Sequence, residues 1–155
     1  IHRHYQSVTV GLQTDPGYRP RKMNHTVIVL VGGVHRGVLE ALAYAKSLRP
    51  NRLIAVTVVS DEEEQDAITR AWSEHNIDIP LEIVYSPYRE LSRAVLQYVS
   101  ELDAQRDNDI VTVVIPEFVV GSAWAQLLHN QSALLLKGRL LFRKGTVVTS
   151  VPYHL

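Results

Sequence analysis

Five short runs of β-branched and other apolar residues follow one another along the chain. Continuous runs of this length, without alternating polar positions, are typical of strands that are buried on both faces of a sheet. Between them lie four longer stretches in which apolar residues recur at helical spacing. The predicted strands are residues 26–31, 53–59, 81–85, 110–115 and 146–151, and the predicted helices are residues 38–48, 62–75, 89–105 and 132–142.

The alternation of strands and helices predicts the fold class. Short links between them imply right-handed crossovers, so we expect an α/β fold: a five-stranded, mostly parallel sheet with helices on both faces, in a Rossmann-like open sandwich. Ser60 and Glu63 have the spacing of a capping box, which predicts the start of the second helix. Ligands bind such a sheet beyond the carboxyl ends of its strands. The loops of interest are therefore residues 32–36, 59–61, 86–89 and 116–132.

Composition and charge restrict the class of protein. The 155 residues include no cysteine, which excludes disulfides, thiol nucleophiles and cysteine-bound metals. The 16 basic and 16 acidic residues cancel, so no overall basic field indicates a nucleic-acid partner. Residues 61–109 nevertheless carry thirteen acids against four arginines. This uneven layout indicates either solvated helix faces or basic groups gathered elsewhere, around an anionic ligand or near a membrane surface.

The ends of the chain predict a piece of a longer protein. The chain opens with Ile1 and shows no signal-peptide pattern. Its longest uncharged stretch, residues 118–136, contains too many polar residues for a lipid-facing span. Turn-forming residues occur at 15–17 and at Pro20. We therefore expect residues 1–22 to be a linker with a short helix and residues 23–155 to be one domain.

A glycine loop follows the first predicted strand. Gly32 and Gly33 end the strand, and His35 and Arg36 come just before the first helix. Backbone N–H groups at this place can point at an anion, although the Gly-Lys-Ser/Thr ending of a P-loop is missing. Two interpretations stay open: contact with a phosphate or a base, or a glycine turn that leaves His35 and Arg36 in solvent.

Two further loops contain candidate ligand-binding residues. The link after the fourth strand is long, and long loops in compact domains are usually functional or disordered. It contains Trp124 and ends in His129, Asn130, Gln131 and Ser132, which either hold a phosphate at a helix N-terminus or include a plain N-cap. After the third strand, Tyr85 or Tyr88 is placed to stack on a base and Arg89 to pair with a phosphate, unless Tyr88 only packs against the helix start.

The sequence gives little support for catalysis. No Gly-x-Ser-x-Gly elbow, His-Glu-x-x-His motif or metal-ligand spacing is present. Glu117 is well placed for a general base, but no nucleophile or acid accompanies it. We therefore predict no catalytic residue, no metal and no enzyme. The enzyme alternative is a slow nucleotide hydrolase that uses Glu117.

The order of elements and the loop Val120-Gly121-Ser122-Ala123-Trp124 resemble the universal stress protein (USP) family over residues 26–151. That family has a five-stranded adenine-nucleotide-binding fold in which loop glycines hold the ATP phosphates. Residues 127–132 and 148–155 resemble the cytosolic C-terminal domain of bacterial permeases of the amino acid–polyamine–organocation (APC) superfamily, particularly the KimA-type potassium importers. Residues 1–8 resemble the juxtamembrane segment that leaves their last transmembrane helix.

The resemblance implies a homodimeric regulatory domain on the cytoplasmic side of the membrane, joined to its own transmembrane transporter domain. The ligand it implies is cyclic di-AMP, whose binding inhibits potassium uptake; no separate cofactor is expected. Its residues would divide by role: Gly32, Gly33, His35 and Arg36 for phosphate or ribose, Val58 beside the adenine, Asn130, Gln131 and Ser132 for phosphate, and Tyr88, Arg89 and Trp124 for stacking or pairing. The alternatives are an ATP- or AMP-binding USP-like domain and a ligand-free dimerisation module of an amino acid permease.

Overall fold

A computed structural model describes residues 16–17, 24–86, 91–105, 110–119, 138–140, 143 and 145–154. In these ranges strands and helices alternate as the hydrophobic pattern predicts. The strands are β1 (His25–Leu30), β2 (Arg52–Val59), β3 (Leu81–Tyr85), β4 (Ile110–Val119) and β5 (Thr146–His154). The helices are α1 (Arg36–Ser47), α2 (Glu62–Glu74) and α3 (Leu91–Gln105). Residues 138–140 are also helical, while the rest of the predicted helix at 132–142 and most of the predicted linker lie outside the described residues.

The five strands form one sheet in the order β3-β2-β1-β4-β5. Every neighbouring pair is parallel, so the predicted α/β fold class is confirmed. The chain first moves outward from β1 through β2 to β3, then crosses back to place β4 on the other side of β1. Right-handed crossovers put the helices of the two directions on opposite faces of the sheet.

The side chains of the strands divide between two hydrophobic clusters, one on each face. Val27, Val29 and Val31 pack with α1 and α2 in the α1/α2-face cluster. Ile28 and Leu30, the residues between them, pack with α3 and Leu140 in the α3-face cluster. Because successive side chains of a strand point to opposite faces, one uninterrupted apolar run supplies both clusters. This explains why β1 shows no alternation of polar and apolar residues.

Two strands extend farther than the sequence predicts. β4 continues to Val119 and β5 to His154, and the two pair through Val119 and His154. The predicted loop at 116–132 therefore begins as strand. Pro116 lacks an N–H group, but β4 pairs with β1 only as far as Val114. Pro116 lies beyond that segment, and a proline is tolerated where one side of a strand has no ladder to maintain.

The cap of α2 is also displaced by one residue from the predicted position. Asp61, rather than Ser60, is the N-cap, and its carboxylate accepts a 2.8 Å hydrogen bond from the Glu64 N–H. The Glu64 carboxylate in turn accepts a 3.0 Å bond from the Ser60 N–H. The predicted pair of Ser60 and Glu63 is therefore wrong. The spacing of three residues between the cap and the acid is right. Because several acids follow one another here, that spacing fits both Ser60 with Glu63 and Asp61 with Glu64.

Candidate functional site

The carboxyl ends of β1 and β4 lie where the winding of the sheet reverses. In the strand order, β1 stands between β2, which follows it in the chain, and β4, which follows the return crossing. Loops on either side of such a point diverge and leave a crevice above the sheet. The loop from Gly32 to His35 leaves β1 at this crevice. The structure therefore places the first group of sequence-predicted residues where an open α/β sheet binds ligands.

A cavity of about 500 Å³ opens beside this loop. Its volume lies in the range of small-molecule sites. The glycine loop, the last residues of β2 and the inner face of α2 form its walls. The lining residues are Gly32, Gly33, Val34, Thr57, Val58, Val59, Glu64, Ala67, Ile68 and Ala71. Most of these surfaces are apolar or backbone, which suits a flat, uncharged ring more than a cluster of charges.

Neither Gly32 nor Gly33 is required by the fold around it. Neither has a φ in the left-handed region, and a Cβ atom built on either residue would meet no atom within 4 Å. Backbone strain and close packing, the usual reasons for glycine, are therefore both absent at these two positions. The missing side chains instead leave the loop backbone open along the cavity, so that a bound molecule can approach it closely.

Val58 lines the cavity through its backbone. The β1–β2 ladder reaches the 2.9 Å bond from the Val31 N–H to the Val56 carbonyl. Alternate residues of a strand direct their N–H and C=O groups to the same side, so Val58 directs its own pair to the space beyond the end of β1. Its side chain packs against the α3-face cluster. The predicted contact between Val58 and a base would therefore be made by backbone donor and acceptor groups.

His35 is used by the fold as the N-cap of α1. Its Nδ1 atom accepts a hydrogen bond of 3.3 Å from the Val38 N–H. The neutral ring that accepts through Nδ1 carries its proton on Nε2. Partial burial lowers the pKa of His35 from its ordinary value of 6.5, because desolvation disfavours the charged ring. Arg36, the first residue of α1, is exposed beside the same helix N-terminus.

The lowered pKa of His35 predicts that the domain loses stability in acid. Because its pKa is lower in the folded chain than in the unfolded chain, the unfolded state binds the proton first as pH falls below about 6.5. The free energy of unfolding should therefore decrease from pH 7 towards pH 5, and urea denaturation at several pH values measures this. His35→Asn keeps a good N-cap without a titrating group. An equally steep pH dependence in that variant would contradict the assignment to His35.

Two polar residues that line the cavity, Thr57 and Glu64, cannot be recognised as cavity residues from the sequence pattern. Thr57 occurs inside the β-branched run of β2, where a threonine looks like one more strand-forming residue. Glu64 occurs among five acids in residues 61–66, of which the other four are exposed. Only the register of β2 against α2 distinguishes them. That spatial relation depends on tertiary packing, so sequence reasoning misses both residues.

The remaining sequence-predicted residues lie outside the described part of the chain. They are Tyr88, Arg89, Trp124, His129, Asn130, Gln131 and Ser132. Glu117, the candidate base of the hydrolase alternative, belongs to β4 instead of the loop after it. No helix in the described ranges is long and apolar enough to span a bilayer. The same ranges contain no group of three or more side chains arranged to hold a metal ion.

Comparison with known proteins identifies the family. A family model described as the KimA potassium transporter C-terminal domain matches residues 23–153. The potassium transporter KimA of Bacillus subtilis (strain 168) is 34% identical over 157 residues, which cover 99% of this chain and 26% of the length of that relative. The chain thus spans about a quarter of the curated relative that it matches. Because the family model covers most of the domain, the chain belongs to the family of KimA potassium transporter C-terminal domains.

Proposed function

We propose that this chain is the cytoplasmic regulatory domain of a potassium transporter, and that it binds cyclic di-AMP in the cavity beside Gly32 and Gly33 to inhibit potassium uptake. The observation that carries the proposal is the open glycine backbone along a cavity of about 500 Å³ at the carboxyl ends of β1 and β2. Family membership supports the transporter. The cavity supports a ligand of nucleotide size.

The cavity supports a particular arrangement of the ligand. The adenine lies against the apolar surface of α2, formed by Ala67, Ile68 and Ala71. Its hydrogen-bonding edge meets the N–H and C=O groups of Val58. The phosphate lies at the glycine loop and the positive end of the α1 dipole, near Arg36. His35, as the cap of α1, positions this loop.

The loop after β4 completes the site in this proposal. Asn130, Gln131 and Ser132 hold a phosphate, with His129 beside them, and Trp124 stacks on a base. Tyr88 and Arg89 contribute stacking and phosphate pairing from the loop after β3. The described part of the site has no basic side chain among the cavity-lining residues. Phosphate binding therefore depends on Arg36 and on these loops.

The proposed ligand-binding form is a homodimer. Cyclic di-AMP has a two-fold axis of its own, so one ligand on the axis of a two-fold dimer meets the same loop twice and each subunit supplies half a site.

Inhibition requires that the ligand bind two transporter states with different affinity, since a ligand that binds both equally shifts nothing. The domain is joined to its own membrane domain, and residues 1–22 form the juxtamembrane linker between them. In this arrangement ligand binding favours the transport-incompetent state. Potassium uptake by the full-length transporter should fall when cyclic di-AMP is present.

Calorimetric titration of the purified chain with cyclic di-AMP, ATP, ADP and AMP tests the ligand, and light scattering gives the oligomeric state. We expect tight binding of cyclic di-AMP at one ligand per dimer. Preference for ATP or AMP would instead establish a nucleotide sensor of the energy state. Binding of none of these four nucleotides would favour a ligand-free dimerisation module and would overturn the proposal.

Arg36 and Asn130 test the placement of the phosphate. Replacing both by alanine removes one charge and one amide from the proposed phosphate site, and charge-assisted hydrogen bonds contribute about 1.5–3 kcal/mol. We expect the affinity for cyclic di-AMP to fall by at least tenfold. Arg93, an exposed arginine on α3, provides a control of equal charge change in Arg93→Ala. Unchanged affinity in the double variant would place the phosphate elsewhere.

A further inference from the structure

We infer that Thr57 and Glu64 are specificity-determining residues: together they bind a hydrogen-bond donor of the nucleotide that carries no negative charge, and they keep phosphate out of their end of the cavity. The inference deepens the proposed function and rests on it. The donor is either a ribose hydroxyl or the exocyclic amine of the base, because both present the same chemistry to these two side chains. We call Thr57 and Glu64 the polar pair.

The first observation is the hydroxyl of Thr57. Its side chain is on the α1/α2 face of β2, where Ala55 and Val59 are its neighbours, and the residue is only 4% exposed. Thr112, which is equally buried, has a hydroxyl bonded to His25 Nε2 at 2.6 Å. Within the described residues no such bond is found for the hydroxyl of Thr57. The Thr57 hydroxyl is not a buried unsatisfied atom, so it opens into the cavity that Thr57 lines, where a ligand can bond to it.

The second observation is the position of Glu64. Of the ten cavity-lining residues it alone carries a charge. Its Oε2 atom accepts a 3.0 Å hydrogen bond from the Ser60 N–H, which holds the carboxylate at the carboxyl end of β2. Glu64 therefore stands on the first turn of α2 with its carboxylate beside the residue that follows β2, and it lines the same cavity as Thr57. The fold thus holds one carboxylate in a cavity whose other lining groups are apolar side chains, backbone and the Thr57 hydroxyl.

These two groups define the chemistry of the ligand atom they meet. A carboxylate accepts hydrogen bonds and does not donate them, and a threonine hydroxyl both donates and accepts. A phosphate brought to the carboxylate would place like charges together in a partly enclosed site. A hydroxyl or an amine can donate a hydrogen bond to either group without this repulsion. The polar pair thus sets the direction of the nucleotide, with its sugar or base towards α2 and its phosphate towards Arg36.

Thr57→Val is the decisive variant. It keeps the branched shape and removes only the hydroxyl, so the unliganded chain should keep its melting temperature or gain a few degrees. The affinity for cyclic di-AMP should fall about tenfold, the effect of one good hydrogen bond. Thr112→Val is the matched control, since it removes a bonded hydroxyl outside the cavity. That control should lower the melting temperature and leave the affinity unchanged.

Two analogues identify the donor. Cyclic di-AMP is compared with its 2′-deoxyribose analogue and with its inosine analogue, in which a carbonyl oxygen replaces the amine. The analogue that lacks the donor should bind the wild-type chain about tenfold more weakly. Thr57→Val should discriminate less than the wild-type chain between the same analogue and cyclic di-AMP. Glu64→Gln, with exposed Glu63→Gln as its control, should reduce the same discrimination.

The outcomes separate the inference from the proposed function. If the wild-type chain does not bind cyclic di-AMP, the proposed function fails. The second case is that the wild-type chain binds cyclic di-AMP and that both variants, Thr57→Val and Glu64→Gln, bind cyclic di-AMP and its two analogues as the wild type does. In that case the proposed function stands and the role of the polar pair is overturned. If Glu64→Gln unfolds through loss of its bond to Ser60, Thr57→Val still decides the question.

Discussion

Gly33→Val should abolish measurable binding of cyclic di-AMP while leaving the fold intact. A Cβ atom at Gly33 would meet nothing within 4 Å in the unliganded chain, and φ of Gly33 is not in the left-handed region, so we expect the unliganded fold to tolerate a side chain there. In the complex the same side chain would occupy the space that the ligand needs beside the loop. Steric exclusion of this kind should lower the affinity by about a hundredfold or more, as calorimetry of the variant would measure.

Gly138 offers a matched control for this experiment. A Cβ atom built on Gly138 also meets nothing within 4 Å, and the residue is absent from the cavity lining. Gly138→Val should therefore bind cyclic di-AMP as the unmodified chain does. Equal affinity for the Gly33 and Gly138 variants would show that the glycine loop does not contact the ligand.

Trp72→Ala should cause the largest loss of stability of any substitution considered. Trp72 anchors α2 to the sheet: it is 8% exposed within the α1/α2-face cluster, and its indole N–H donates a buried 2.9 Å hydrogen bond to the Ile79 carbonyl. Truncating a buried tryptophan to alanine costs about 3–5 kcal/mol. Since domains are stable by only about 5–15 kcal/mol in total, the variant should be close to unfolding at room temperature in urea titrations.

Two companion variants separate the contributions to this loss. Trp72→Phe keeps most of the apolar surface but leaves the Ile79 carbonyl without its indole partner, which should cost about 1–3 kcal/mol. Leu39, 39% exposed on α1, supplies a control, and Leu39→Ala should change the free energy of unfolding by no more than about 0.5 kcal/mol. A Trp72→Ala variant no less stable than the Leu39 control would mean that α2 is not held by this residue.

Much of the fold is readable from the sequence because strand burial is a local property of composition. The short, β-branched run around Val29 favours a strand with both faces covered. The ends of elements are less readable. Pro116 looks like a strand terminator until its position beyond the β1 pairing is known. Asp61 and Ser60 are both good N-caps, and only the backbone geometry selects between them.

The candidate site divides in the same way. Gly32, Gly33 and Val58 lie at strand ends, and the rule for open sheets makes strand ends candidates from the hydrophobic pattern alone. The structure adds that neither strain nor crowding requires a glycine at position 32 or 33. Thr57 could not be found from the sequence. Its lack of a hydrogen-bond partner among the described residues is a property of its neighbours in space, whereas its residue type is ordinary for a strand.

The extra length of β4 and β5 gives the edge of the sheet a step. Val29 of β1 is level with Val114, so Leu30, the last residue of β1, is level with Ile115, four residues short of Val119. At about 3.3 Å per residue, the two-stranded ribbon therefore rises about 13 Å above the end of β1. The chain after Val119 starts from the top of this ribbon, whereas the glycine loop starts at its base. The height of the step beside the glycine loop is thus set by the length of a strand pair that forms no part of the cavity lining. Insertions or deletions in that ribbon would change this height and leave the lining residues the same.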